Sequence, residues 1–150
     1  MIRDEIKSAL VSAMKGGDKP RVATIRLIQS ALKNRDIELR GKDAGDDDVL
    51  VTEVLQKMIK QRRESIDMYR KGNRAELADA EAAEIAVIET FLPAQMSDEE
   101  LGAALDAIVA ETGAASIKDM GKVMAVLKER HAGQIDMAKA GTMVRGKLGA

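Results

Sequence analysis

The sequence predicts an all-α protein: an N-terminal antiparallel helical region followed by a small C-terminal three-helix domain. Three observations carry this expectation. Apolar residues recur every three or four positions along most of the 150 residues, as on one face of a helix. No segment alternates apolar and polar residues as a half-buried strand does, and none carries hairpin turn chemistry. The apolar residues are Leu, Ile, Val, Ala and nine Met, with Tyr69 and Phe91 the only aromatics, a set suited to helix-on-helix packing.

Ile2, Ile6, Leu10 and Met14 repeat every four residues and mark a first helix that stops at Gly16-Gly17. Pro20 suits the first turn of a second helix, whose apolar side runs through Val22, Ile25, Ile28, Leu32 and Leu39 to about Arg40. GKDAGDDD then reads as a loop, with acids where the next helix begins and its dipole favours them. The third helix carries Val51, Leu55, Met58, Ile66 and Tyr69 and ends at Gly72. Asn73, with Glu76 three residues on, has the spacing of a capping box and opens a fourth helix with Leu77, Ile85, Ile88 and Leu92 inward. Pro93 closes it.

Pro93-Ala94-Gln95-Met96 reads as a hinge or tight linker between domains at 1–93 and 97–150. Ser97 and Glu100 form a full capping box for a helix with Leu101, Leu105 and Ile108 inward, ended by Thr112-Gly113. Ser116 with Asp119 caps the next helix, where Met120, Met124 and Leu127 make the stripe. Gly133 breaks the chain, and Asp136 caps a last helix with Met137, Val144 and Leu148 inward.

Charge is strongly partitioned along the chain. Residues 1–74 hold seventeen bases and twelve acids, 75–114 hold ten acids and no base, and 115–150 hold seven bases and three acids. The last stretch has the make-up of a polyanion-binding module. Its candidate contacts are Lys118, Lys122, Lys128, Arg130, Lys139, Arg145 and Lys147, with Gly121 between two of them. Lys118 and Lys122 lie four apart on one helix face. Two readings stand for Gly121: it admits a packed helix, or it admits a nucleic-acid backbone. With almost no aromatics, base stacking is excluded, while phosphate and 2′-hydroxyl contacts are not. Arg62 falls within the apolar stripe of the third helix, and a charge there needs a partner. Glu81 or Glu84 supplies one; an exposed phosphate contact by Arg62 and Arg63 is the alternative.

Other chemistries find little support. Cysteine is absent, which excludes disulfides, thiol nucleophiles and Cys-based metal sites. His131 stands alone, and Asp46, Asp47 and Asp48 are consecutive and do not converge on one point, so no metal site and no cofactor are expected. No catalytic residue is assigned. There is no phosphate-binding P-loop and no nucleophile elbow. No secretory leader is read at the N-terminus, no apolar run approaches the ~20 residues of a membrane span, and a cytoplasmic location is expected.

Four stretches resemble the YqeY (GatB/YqeY) family: RVATIRLIQSALKNRDIELR, KQRRESIDMYRKGNRAELADAEAAEIAVIETFLPAQMSDEEL, DMGKVMAVLKE, and the helix from Asp136 to Leu148. The resemblance implies the bipartite helical architecture above. It also implies that the C-terminal domain is similar to the tail of the B subunit of glutamine-dependent aminoacyl-tRNA amidotransferase, which is associated with tRNA recognition. The function implied first is a tRNA-binding or tRNA-metabolism accessory protein without its own catalytic centre. Its partners would be tRNA and a tRNA-charging or amidotransferase enzyme, with no DNA-specific signal and no membrane. The alternatives are a component associated with glutamine-dependent carbon–nitrogen ligase activity, and a helical protein–protein adaptor. The chain itself lacks the Gly/Ser-rich loop that Ser–Ser–Lys amide hydrolysis requires.

Overall fold

The structure, a computed structural model, describes residues 1–131 and 133–149. Seven α-helices and one 3₁₀ turn make up its regular structure, and the described residues contain no strand. The fold is all-α. The chain divides into two compact units, Met1–Leu92 and Pro93–Ala150.

The first unit is two helical hairpins: α1 (Ile2–Lys15) with α2 (Lys19–Glu38), and α3 (Asp47–Lys71) with α4 (Ala75–Glu89). Its core is aliphatic, with Ile6, Ile25, Ile28, Val51, Leu55 and Ile88 almost fully buried. The inward row of α1 is Ile2, Ile6 and Ala13, so Met14, one residue further round the helix, turns out to solvent. The same phase effect exposes Leu77. The inner row of α4 is Ala78, Ile85 and Ile88, and small Ala78 takes the buried place.

The three consecutive aspartates before α3 have separate structural jobs. Asp46 caps the helix by accepting from the Val49 N–H at 3.1 Å. Asp48 accepts from the Ile2 N–H at 3.0 Å. Asp47 receives Arg3 Nε at 2.9 Å, and the same guanidinium reaches Asp36 at 2.7 Å. One arginine on α1 thus ties the end of α2 to the start of α3. These partners hold the guanidinium more firmly protonated than usual, the Asp36 hydrogen bond most of all.

Asn73 does not cap α4. It adopts φ +58°, a left-handed conformation that asparagine tolerates, and it turns the chain after α3. The residue at the cap position is Arg74, whose side chain makes no capping bond. The turn is closed by the Arg74 N–H donating to the Tyr69 carbonyl at 2.7 Å. Arg62, half-buried on α3, donates through Nε to Glu84 at 2.8 Å and through a terminal nitrogen to the Met58 carbonyl at 3.1 Å. Glu81 lies at 4.0 Å.

The second unit packs α5 (Asp98–Thr112), the 3₁₀ turn Ile117–Asp119, α6 (Met120–Arg130) and α7 (Met137–Leu148) around Leu105, Ile108, Val123, Leu127 and Val144. Ser97 and Glu100 form the reciprocal capping box of α5, at 3.1 and 3.3 Å. Gly113, at φ +68°, ends that helix in the left-handed geometry that glycine adopts without strain. Asp136 caps α7 through the Ala138 and Lys139 N–H groups. Gln95 and Met96 are bound within this unit: the Gln95 amide donates to the Gly133 carbonyl at 2.7 Å, and the Met96 N–H to the Gln134 carbonyl at 2.8 Å.

The Asp119 carboxylate accepts from the Ala115 and Ser116 N–H groups at 3.0 and 3.4 Å, and so closes the loop before α6. Those two bonds, with the nearby Lys122 charge a smaller cause, hold it below the ordinary aspartate range. Its stabilisation is therefore present above the unfolded-state value and is lost only as pH falls through the lowered folded-state value. In an amide NMR titration, Ala115 and Ser116 should shift with a midpoint below that of a free aspartate. A midpoint at or above the ordinary value would rule out the closure. For Arg62 and Glu84, a double-mutant cycle by urea unfolding should give a coupling of about 1–2 kcal/mol, and a coupling near zero would remove the pair from the account of this unit's stability.

Candidate nucleic-acid interface

The seven cations of the C-terminal stretch do not form one uniform surface. Three are engaged by acids of α5: Lys139 with Asp98, Lys147 with Asp106, and Arg130 with Glu111. The first two pairs step by eight residues on both helices, so α5 and α7 run in the same direction and are tied at two levels roughly 12 Å apart. Arg130 holds the Glu111 carboxyl below its usual value through their hydrogen bond. Lys128, exposed on α6, also has a partner.

Lys118, Lys122 and Arg145 are exposed and make no ion pair among the described residues. Arg145 and Lys118 belong to neighbouring elements, α7 and the 3₁₀ turn, and Lys122 follows on α6. On α7, Gly141, Arg145 and Gly149 form a row at four-residue steps. A Cβ built on Gly141 would stand 3.5 Å from the end of Met120, and one on Gly149 would stand 3.7 Å from the end of Ile117. Arg145 lies between these two glycines, beside the 3₁₀ turn and the first turn of α6. Lys118 follows Ile117 there, and Lys122 lies two residues beyond Met120. Lys147 is about 200° of helical rotation away from Arg145, which is why one reaches α5 and the other does not.

Gly121 separates the two lysines at the start of α6, and nothing lies within 4 Å of the place its Cβ would occupy. No described helix packs there. The glycine leaves a bare patch of backbone, open to solvent, at the positive end of the α6 dipole. Gly146 on α7 is open in the same way. Ile117, half-exposed, is a neighbour that sequence reasoning did not single out. Asp119 brings one negative charge into the cluster, although its carboxylate is turned onto backbone donors.

Arg62, Glu81 and Glu84 take no part in this surface. They form the ion pair inside the first unit. Among the described residues no group of three or more His, Cys, Asp or Glu is arranged to hold a metal ion, and no helix is long and apolar enough to cross a membrane. Both aromatics belong to the first unit: Phe91 is buried, with Arg21 stacked 5.8 Å from its ring centre, and Tyr69 is half-buried. The second unit has no Phe, Tyr or Trp on which a base could stack.

Comparison with known proteins adds the ancestry. The chain is 37% identical over 87 residues to "Altered inheritance of mitochondria protein 41, mitochondrial" of Lachancea thermotolerans, a match covering 58% of this chain and 46% of the relative. It is 34% identical over 108 residues to the protein of that name from Eremothecium gossypii, covering 71% of this chain and 58% of the relative. The Kluyveromyces lactis protein is 36% identical over 86 residues, covering 57% and 45%. The chain spans about half the length of the curated relatives it matches. Their names overturn the cytoplasmic expectation, since each is named as mitochondrial. Freedom from cysteine fits more than one compartment and never separated them. The model of the Yqey-like protein family matches residues 3–148. With nearly the whole chain matched, this protein belongs to the YqeY family.

Proposed function

We propose that the second unit binds structured RNA, with tRNA the first candidate, by contacting phosphates through Lys118, Lys122 and Arg145. The observation that carries this reading is the open backbone at Gly121 between two unpaired lysines. A phosphodiester chain needs that combination: cations to neutralise it, and a surface low enough to approach. The positive end of α6 adds to the attraction. Without aromatics in the unit, recognition rests on shape and backbone, which suits a folded RNA better than a single strand. The similarity to the amidotransferase tail that the sequence resemblance implies would point the same way. Arg130, Lys139 and Lys147 support the surface by fixing α6 and α7 against α5, and are assigned no phosphate contact.

The reading is non-catalytic. Any amide-transfer chemistry would have to come from a partner enzyme, because no nucleophile, base and oxyanion donor converge at this surface.

Fluorescence anisotropy with labelled tRNA tests it. Three phosphate contacts imply a fall in affinity of roughly thirty- to fifty-fold between 50 and 200 mM salt. Lys118→Glu/Lys122→Glu and Arg145→Glu should each abolish most binding at low salt. Lys139→Gln/Lys147→Gln should leave binding within about threefold and lower stability by no more than about 1 kcal/mol per exposed pair. Absence of binding at 50 mM salt would remove the RNA reading and make a protein partner the leading one. Equal losses from both sets of substitutions would mean that the three residues are not a distinct site.

A further inference from the structure

The first unit carries a feature that RNA binding does not use. At the joined end of the α1–α2 hairpin lies a cleft of about 390 Å³. Ala13, Met14, Val22 and Ala23 give it apolar walls, and Lys19 and Arg26 stand in its lining. Met14 is 54% exposed there. Val11, one turn before Met14, is 50% exposed, and Leu27, one turn after Ala23, is 44% exposed. Exposed large hydrophobics thus lie in the cleft lining (Met14) and one turn from lining residues on each helix (Val11 and Leu27). Apolar surface grouped in this way marks an interaction site.

Both charged residues of its lining are basic. Lys15, Lys19 and Arg26 are exposed and make no ion pair among the described residues. The nearest acid in sequence, Asp18, is occupied in capping α2 through the Arg21 N–H. This contrasts with the far end of the same hairpin, where Arg3 is saturated by Asp36 and Asp47.

We propose that this cleft is the docking site for an amphipathic helix of a partner protein, two to three turns long, with Leu-type residues on one side and Asp or Glu along its flanks. The apolar row would fill the space between α1 and α2, and the acids would pair with Lys15, Lys19 and Arg26. The shape favours a helix over a membrane surface. The cleft is concave and bounded by small residues, Ala13 and Ala23, that admit a ridge of side chains, whereas a bilayer is met by convex apolar side chains that insert into it. The proposal is independent of RNA binding by the second unit.

The test uses the full chain and defined probes: a labelled 16-residue helical peptide with Leu at an i, i+3, i+4, i+7 row and Glu at the flanking positions, the same peptide with Lys for Glu, and vesicles of phosphatidylserine and phosphatidylcholine. The acidic peptide should bind and shift backbone amide signals within residues 11–27. Lys19→Glu/Arg26→Glu, which alters exposed side chains only, should weaken it at least tenfold and confer binding of the Lys peptide, with the circular dichroism spectrum unchanged. Met14→Ser should weaken both pairings. The proposal is overturned if the acidic peptide causes no shift at millimolar concentration, if both peptides bind the native chain equally, or if vesicles perturb residues 11–27 and the peptides do not.

Discussion

Apolar packing of α5, α6 and α7 decides which charges of the second unit are left over for function. Burying Leu105, Ile108, Val123, Leu127 and Val144 contributes about 1.5–3 kcal/mol for each side chain. An exposed ion pair contributes about 0–1 kcal/mol. The core therefore sets the rotation and register of each helix, and the ion pairs follow. With Val144 and Leu148 turned inward, Lys139 and Lys147 come opposite Asp98 and Asp106. Arg145 is turned away from that pairing and stays exposed. Three acids of α5 and three of the seven C-terminal cations are thus brought into pairs by one packing arrangement.

The two units solve the same problem in different ways. A helical bundle with few or no aromatics has little area per side chain to hold its ends together. In the first unit the Arg3 guanidinium spans α1, α2 and α3 by binding two carboxylates, and Arg62 does similar work between α3 and α4. In the second unit the ends are held by caps: the Ser97–Glu100 box, the Asp119 loop closure and Asp136 on α7. Each device gives backbone or charged groups a partner within the protein. They also leave some cations unneutralised, and those are the groups on which binding can rest.

Family membership and geometry speak to different questions. The family match extends over residues 3–148 and speaks for common ancestry and fold. The relatives are about twice as long as the segment they share with this chain, so their biology need not reside in that segment. On the readings proposed above, this chain would offer a pair of recognition surfaces: exposed cations in the aromatic-free second unit, and an apolar cleft with basic residues in its lining in the first. Neither assembles acid, base and nucleophile.

Helix existence, the aliphatic core and most caps were legible in the sequence, because each depends on residues within four positions of one another. Ser97 with Glu100 and Asp136 before Met137 are local signals of this kind. Local reading failed where phase mattered by a single residue. Met14 and Leu77 lie about 100° from the true inner rows, and Ala13 and Ala78, too small to stand out, hold the buried places. It failed again at Asn73, where the demand for a left-handed turn outweighed the capping pattern. The seven C-terminal cations are equivalent in the sequence. Their division into paired and unpaired groups rests on contacts across 19 to 41 residues. The sequence by itself determined the family, the helices and the kinds of charge available. Only the tertiary structure decided which charges remain free, because rotation and register between helices are set by side chains far apart in the chain.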